Sequence, residues 1–332
     1  MHPITKKLIH AFSWPIIGAT LAYLYTYNVH KQSPSSLFIR RLTQVSALKH
    51  WQKVLFKHQD SLVRMLDRRY NDLPINPDWR VHIQSRKYFM DDMPVYVWND
   101  SGQADQKTLL YLHGGGYIIN ATPFHFDFIR EIIMRTQIRL VFPVYYKTPK
   151  YSYSEAYPLI QDLYQEWIDY VGPDRMFMMG DSAGGGFCLS LALSIRDLGL
   201  DQAKHLFLIS PWLDLSLDHE DYLDYEKKDP LLNIFAMQKM GRFWAGKNDN
   251  VKDPYLSPIY GDMAGLPPIF ICVGDHELLY LDSIRLKDAL ALKNQPYELI
   301  IGQKMNHIFP ILPIFESKQV RKRIVSIINE YS

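Results

Sequence analysis

Two short stretches hold the residue types from which acyl-transfer chemistry is built: His113-Gly114-Gly115-Gly116-Tyr117 and Gly180-Asp181-Ser182-Ala183-Gly184-Gly185-Gly186. A serine hydroxyl is a weak nucleophile until a base removes its proton. The oxyanion it then creates needs N–H donors already aimed at it. Gly-x-Ser-x-Gly alone is a weak signal, because glycine and serine are common. Its position adds weight: "RMFMM" before it reads as a core strand, and "FCLSLALSI" after it as a core helix. A serine wedged between strand and helix sits on a tight turn that lifts its hydroxyl above the sheet edge. Glycines at 180 and 184 remove side chains that would crowd such a turn. The Ala183 amide falls at a helix N-terminus, where negative charge is stabilised. The three glycines after "TLLYLH" need a reason of their own, since glycine is costly to order. Oxyanion donors supply it, and the amides of Gly114, Gly115 and Ala183 are the candidates. A phosphate-binding loop is the rival, but no Lys-Ser/Thr follows and the spacing is not G-x-G-x-x-G.

A base must reach the serine, and the chain order Ser…acid…His is expected for a serine on such a turn. Of the twelve histidines, His276 and His307 come late enough, and His307 follows the strand-like "YELIIGQ" within a few residues. The loop after "PPIFICV" offers two carboxylates, Asp275 and Glu277.

Positioning these groups falls to an alternation of elements. "VHIQSRKYFM" and "MPVYVWND" are period-2 segments joined by Asp91-Asp92, which predicts a hairpin. "TLLYLHG" then reads as a strand, 124–135 as a helix and "IRLVFPVY" as a strand. A helix over about 154–170 follows, stopped by Gly172 and Pro173. "RMFMMGD" leads into a helix from Ala183 to about Leu198, with Gly199 suited to its C-terminal cap. "KHLFLISPW", "PPIFICVGD", a helix over 281–293, "YELIIGQ" and a helix from Ser317 complete the chain. Such alternation predicts an α/β fold, a mainly parallel sheet of eight strands covered by helices on both faces. Residues 1 to about 75 and about 213–262 stand outside it, the second with its own helical run "LLNIFAMQKMGRFWAG". Insertions beyond the C-terminal ends of strands are well placed to cover a site.

These motifs resemble the hormone-sensitive-lipase family of α/β-hydrolases, and in particular its bacterial esterases. The resemblance rests on "HGGGY" with His125 downstream, "GDSAGGG", "SPWLD" at 210–214 and "DPLL" at 229–232. "SPIYGDMAGLPPIFICVGDHELLYLDS" and "MNHIFPIL" extend it over roughly 105–315. It departs where the family reads Tyr-Arg-x-x-Pro-Glu: here Tyr145 precedes "YKTPKYSYS", without the two prolines expected near 152 and 154. The resemblance implies an α/β-hydrolase fold, with a helical cap built from residues 1–75 and the 213–262 insertion on a catalytic domain spanning 76–332. It implies ester hydrolysis with no metal or organic cofactor. It assigns Ser182 as nucleophile, His307 as base and His113 as a prop for the oxyanion loop. The family's acid is an Asp followed by x-Leu, some thirty residues before the histidine. Glu277 sits at that distance with Leu279 after it, so it is favoured, with Asp275 as the alternative acid and Asp282 in a supporting role. Asp275 would then cap its turn.

The implied activity is carboxylester hydrolysis of short- to medium-chain acyl groups through an acyl-enzyme. The competing readings are a catalytically weak ligand receptor on the same fold and a membrane-associated lipase or deacetylase. Trp212, Phe235, Phe243, Trp244 and Tyr255 bring aromatic bulk to the cap side.

Composition sets outer bounds. The chain has 332 residues, 47% hydrophobic and 22% charged, with a formal net charge of +2, so nothing draws it toward nucleic acid. The basic run "KQVRKR" reads as a solvated helix face. Cys188 and Cys272 both lie in apolar runs, as small core residues in a reducing compartment do. Residues 11–29 carry no formal charge and follow Lys6 and Lys7, as in a signal anchor. Ser13, Pro15, Thr20, three tyrosines and Asn28 make that stretch weak for a span. No small-x-small cleavage site follows it, which argues against a cleaved secretory signal. A cytoplasmic protein whose N-terminal segment packs on the domain or touches a membrane surface is the preferred expectation. The expected partner is a small-molecule ester, and the resemblance leaves room for a homodimer.

Overall fold

The computed structural model describes residues 32–45, 49, 81–83 and 85–331. The uncharged stretch 11–29, and with it the question of an N-terminal anchor, lies outside the described residues.

Eight strands form one sheet. In chain order they are β1 (Ser85–Met90), β2 (Met93–Trp98), β3 (Thr108–Leu112), β4 (Arg139–Pro143), β5 (Met176–Asp181), β6 (His205–Ile209), β7 (Ile269–Gly274) and β8 (Tyr297–Gly302). Their order across the sheet is β1-β2-β4-β3-β5-β6-β7-β8. Only β2 runs against its neighbours β1 and β4; all other pairings are parallel. Strands β3 to β7 are apolar and buried along their length, as strands covered on both faces must be.

Helices α2 (Pro123–Thr136), α3 (Tyr153–Val171), α4 (Ala183–Asp197), α7 (Tyr280–Leu292) and α8 (Ser317–Glu330) connect or follow the strands. Helices α3, α4 and α7 pack on one face of the sheet. The other face is covered by α2 and α8, through Phe128, Ile129, Ile132, Ile324 and Ile328. Right-handed crossover connections put helices on both faces and bring the C-terminal ends of all the parallel strands to one edge. Loops that leave that edge can therefore converge on one point.

The hairpin lies where the pattern predicts it, with Asp91 at φ 49° in its turn. Its first strand starts later than the alternation suggests. Val81 is helical, His82 has φ 51°, and pairing begins at Ser85 opposite Trp98. Alternation in sequence does not by itself recruit residues to a ladder that lacks a partner strand beyond Trp98.

Within 213–262 lie α5 (Tyr222–Lys228) and α6 (Ile234–Ala245), the latter capped by the Asn233 side chain accepting from the Ala236 amide. Helix α6 packs on the loop that carries the glycine run: Ile118 is buried against Ala236, Met240 and Phe243. Trp244 stacks on Tyr117 with centroids 4.1 Å apart and planes within 4°. Such a pair adds about 0.5–1.5 kcal/mol beyond its buried area. Trp212 and Trp244 are buried, while Phe235 and Tyr255 are exposed. The insertion is also tied to the N-terminal part of the chain, since Lys49 Nζ donates to the carbonyls of Glu226 and Asp229. Helix α1 (Pro34–Val45) sits beside the loop after β8. The Gln32 side chain donates to the Lys304 carbonyl at 2.7 Å, and the Ser33 hydroxyl to Glu316 at 2.7 Å.

Candidate active site

Ser182 occupies the turn between β5 and α4, with φ 51° and ψ −122°. A non-glycine residue holds this left-handed conformation only when its surroundings over-determine it. Here the Ser182 amide donates to the Ile209 carbonyl at 2.9 Å, and its own carbonyl accepts from the amides of Gly186 and Trp212. The helix then packs against the sheet too closely for any side chain at 184. A Cβ on Gly184 would lie 2.0 Å from the Leu112 carbonyl oxygen. That contact sets the glycines of this motif as much as turn geometry does.

His307 arrives on the loop after β8. Its Nε2 lies 2.9 Å from Ser182 Oγ, and its Nδ1 lies 2.5 Å from Glu277 Oε2. The loop can cross this close because Gly274 is bare, a Cβ there meeting the Met305 carbonyl oxygen at 2.1 Å. The other Glu277 oxygen, Oε1, accepts from the Gly274 amide at 2.6 Å and from Ser210 Oγ at 2.7 Å. Ser210 Oγ itself accepts from the Ile308 amide at 3.1 Å, so its proton is free to go to Glu277. Both carboxylate oxygens are filled by donors, as an ionised carboxylate requires. Glu277 then fixes the proton of His307 on Nδ1 and leaves Nε2 with a lone pair facing the serine.

Burial pushes the His307 pKa down, but the Glu277 charge and hydrogen bond outweigh it, helped by Asp229 and Asp181, so the imidazole lies above its ordinary value. Asp229 Oδ2 accepts from the Leu278 amide while its Oδ1 accepts from the amides of Leu231 and Leu232. It joins the insertion to the loop that carries Glu277.

Asp275 does not meet His307. Its Oδ1 accepts from the Lys304 amide at 2.5 Å and lies 2.7 Å from His276 Nδ1, and its side chain is partly exposed. It closes the turn between β7 and the end of β8. Asp282 also stays clear of the imidazole. Its carboxylate accepts from the amides of Leu213 and Asp214 and from the Tyr222 hydroxyl, and so orders the segment after Ser210.

One expectation needs correction. The Gly114 amide does not point toward the serine as a free donor, because it donates to Asp181 Oδ1 at 3.0 Å. The reason is the buried carboxylate beside Ser182. Asp181 also accepts from the Tyr111 hydroxyl at 2.7 Å and lies 3.1 Å from His125 Nε2. Burial would raise the Asp181 carboxyl, but His125 and the donors from Tyr111 and Gly114 more than offset this and hold it below its ordinary value. A Cβ on Gly114 would fall 2.3 Å from Asp181 Oδ2 and 3.0 Å from Ser182 Cβ, so the glycine here makes room for the latch. Among the described residues the amides of Gly115 and Ala183 meet no acceptor, and they remain available to an oxyanion.

His113 props the loop from below. Its Nδ1 lies 2.6 Å from the Gly114 carbonyl, its own carbonyl accepts from the Tyr145 hydroxyl, and its ring stacks on Tyr145. Burial, with Lys147 nearby, pushes its pKa down to about 3, so the ring is neutral and cannot serve as a charged donor. Ser210, Asp229 and the latch role of Asp181 were not singled out by residue type, although all three lie within the quoted motifs. The arrangement as a whole can deprotonate a hydroxyl, stabilise the resulting imidazolium and receive a negative oxygen at two backbone amides.

Residues 109–311 match the sequence profile of a family described as alpha/beta hydrolase fold. An esterase of Acinetobacter venetianus is 31% identical over 181 residues, covering 54% of this chain and 60% of that protein. The chain therefore spans less than two thirds of that relative's length. Among solved structures, EstE5 soaked with p-nitrophenyl butyrate superposes with a TM-score of 0.75 at 26% identity, over 90% of this chain and 99% of that one. An esterase from the bacterial hormone-sensitive lipase family gives a TM-score of 0.69 at 27% identity, over 82% and 91%.

Proposed function

The chain belongs to the alpha/beta hydrolase fold family, and from that premise we propose that it is a serine carboxylester hydrolase acting on short- to medium-chain acyl esters. The observation that carries the reading is the connected chain Ser182 Oγ, His307 Nε2, His307 Nδ1 and Glu277 Oε2, with separations of 2.9 and 2.5 Å. Ser182 Oγ attacks the ester carbonyl carbon while His307 Nε2 takes its proton. The carbonyl π electrons move to oxygen, and the Gly115 and Ala183 amides receive the oxyanion. Collapse of that intermediate breaks the bond to the alkoxy group, which leaves as alcohol with the proton from His307. Water then attacks the acyl-Ser182, gives its proton to His307, and the acid is released as the proton returns to Ser182.

Met240 and Phe243 lie over the glycine run, Met240 Sδ only 2.6 Å from where a Gly116 Cβ would be. That crowding supports a preference for small acyl groups. A panel of p-nitrophenyl esters, read below and above micelle formation, is expected to peak at about two to eight acyl carbons. A preference for long-chain triglyceride emulsions would instead favour the lipase reading. No turnover of any activated ester would favour a receptor.

The raised His307 pKa sets the pH profile. Below its folded pKa the imidazole is protonated on Nε2 and cannot accept the Ser182 proton. Because that pKa is raised, activity is lost at higher pH on the acid side than an ordinary histidine of about 6.5 would give. A pH series of kcat/KM on a soluble ester is expected to place the acid limb above that value. A limb at or below it would contradict the pairing with ionised Glu277.

A further inference from the structure

The basic run near the C-terminus is divided by the fold into two kinds of residue. Arg321 is engaged inward, donating to the carbonyls of Pro310, Ile311 and Leu312 and to Glu131. Arg323 pairs with Glu298 and Glu330. Lys318 and Lys322, one turn apart on α8, are exposed and have no carboxylate partner among the described residues. Both line a groove of about 650 Å³ between α1, α2, α8 and the loop before α8, together with Arg135, Arg321, Phe315 and Ser35. Glu131 is the one carboxylate in that lining, and Arg135 and Arg321 already hold it.

An apolar edge runs beside these cations. Phe38 and Leu42 stand three and seven residues after Ser35 and share its face of α1, which has no acidic residue. They are 67% and 58% exposed, Phe315 is 53% exposed, and Arg41 on α1 is exposed too. Large apolar side chains set beside a surplus of cations match the layered chemistry of a bilayer surface, with acyl chains beneath anionic headgroups. Gln32 and Ser33 are pinned to the loop 304–316, which holds the start of α1 beside this groove.

We infer that the surface formed by α1, residues 313–318 and the exposed lysines of α8 docks on an anionic lipid bilayer. Phe38, Leu42 and Phe315 enter the interface, while Lys318, Lys322, Arg135 and Arg41 contact the headgroups. Docking here also bears on the loop after β8, since Gln32, Ser33 and Ser36 grip Lys304, Glu316 and Met305 on the two sides of His307. The inference does not depend on the hydrolase reading, because it is tested by binding.

The test uses the full chain and sedimentation with vesicles of phosphatidylcholine alone or mixed with phosphatidylglycerol. Binding is expected to the mixed vesicles only and to weaken with salt. The double variant Lys318→Glu, Lys322→Glu should bind at least about tenfold more weakly, since each basic residue near such a surface is worth about fivefold. The same variant should keep wild-type turnover of a soluble ester, which shows that it is folded. Phe38→Ser with Phe315→Ser should weaken binding while preserving its salt dependence. Equal binding to neutral vesicles, or undiminished binding by the charge-reversed variant, would overturn the inference. Release by inorganic phosphate at matched ionic strength would do so as well, by revealing a small-anion site instead.

Discussion

Ser182→Ala is expected to leave a folded protein whose ester turnover falls by about 10⁴-fold or more, because members of such a unit act together. Alanine fits the turn as well as serine does: the constraints at 182 are on backbone atoms, with the amide bonded to Ile209 and the carbonyl to Gly186 and Trp212. Stability should therefore change little, and loss of rate isolates the hydroxyl. Single-turnover and steady-state assays on a p-nitrophenyl ester, alongside thermal unfolding, measure both quantities. In the wild type, an organophosphonate should form an adduct that peptide mapping assigns to Ser182. A variant that keeps a tenth of wild-type turnover would remove Ser182 from the reaction.

The second large effect is expected at Glu277. Glu277→Gln keeps the shape of the side chain but replaces one acceptor oxygen with an NH₂ donor. That group must either face His307 Nδ1, which turns the imidazole to the wrong tautomer, or face Gly274 N–H and Ser210, which are donors already. Either outcome costs about 10³–10⁴-fold in turnover. Asp275→Asn, by contrast, alters a turn between β7 and β8 and should cost far less. Comparing kcat for the two variants, each verified as folded by circular dichroism, decides between the carboxylates. If Asp275→Asn proves the more damaging, Asp275 is the acid despite its distance from the imidazole.

The carboxylate beside His307 was legible only through the family resemblance, whose pattern sets the acid some thirty residues before the histidine with a leucine two positions on. Asp275 and Glu277 have the same chemistry and lie in one loop, and a leucine two positions on distinguishes them. In three dimensions the difference is burial. Glu277 turns inward to Gly274 and Ser210, while Asp275 faces the Lys304 amide at the rim. The sheet was easier to read. Strands β3 to β7 are short, mostly apolar runs, and helices α2, α3, α4, α7 and α8 fall within a residue or two of the periodic pattern. The pattern failed where order depends on a partner rather than on composition, as at Val81–Ile83, which alternates but pairs with no strand among the described residues.

The Gly114 amide shows a second kind of limit. A run of three glycines tells that backbone must come close to something, not which amide points where. The direction is set by Asp181, whose carboxylate reaches from β5 to the loop after β3 and meets Tyr111 and His125 on the way. Nothing local to either motif reveals that contact. Ser210 is similar: an ordinary serine after a strand, it becomes a support for Glu277 only once β6 and β7 lie side by side.

The close approach of α4 to the sheet also governs how this protein can diversify. With a hypothetical Cβ at Gly184 only 2.0 Å from the Leu112 carbonyl, and one at Gly186 only 2.1 Å from the Trp212 carbonyl, backbone stands where any new side chain would go. Backbone cannot rotate aside as a side-chain tip can, so almost any substitution there strains the fold before its effect on substrate choice matters. Helix α6 faces the opposite situation. Met240 and Phe243 meet the glycine loop through flexible or planar side chains, and exchanging them changes volume without moving the main chain. Exchanges on α6 can therefore reshape the space over the glycine loop, while the turn around Ser182 leaves no room for a new side chain.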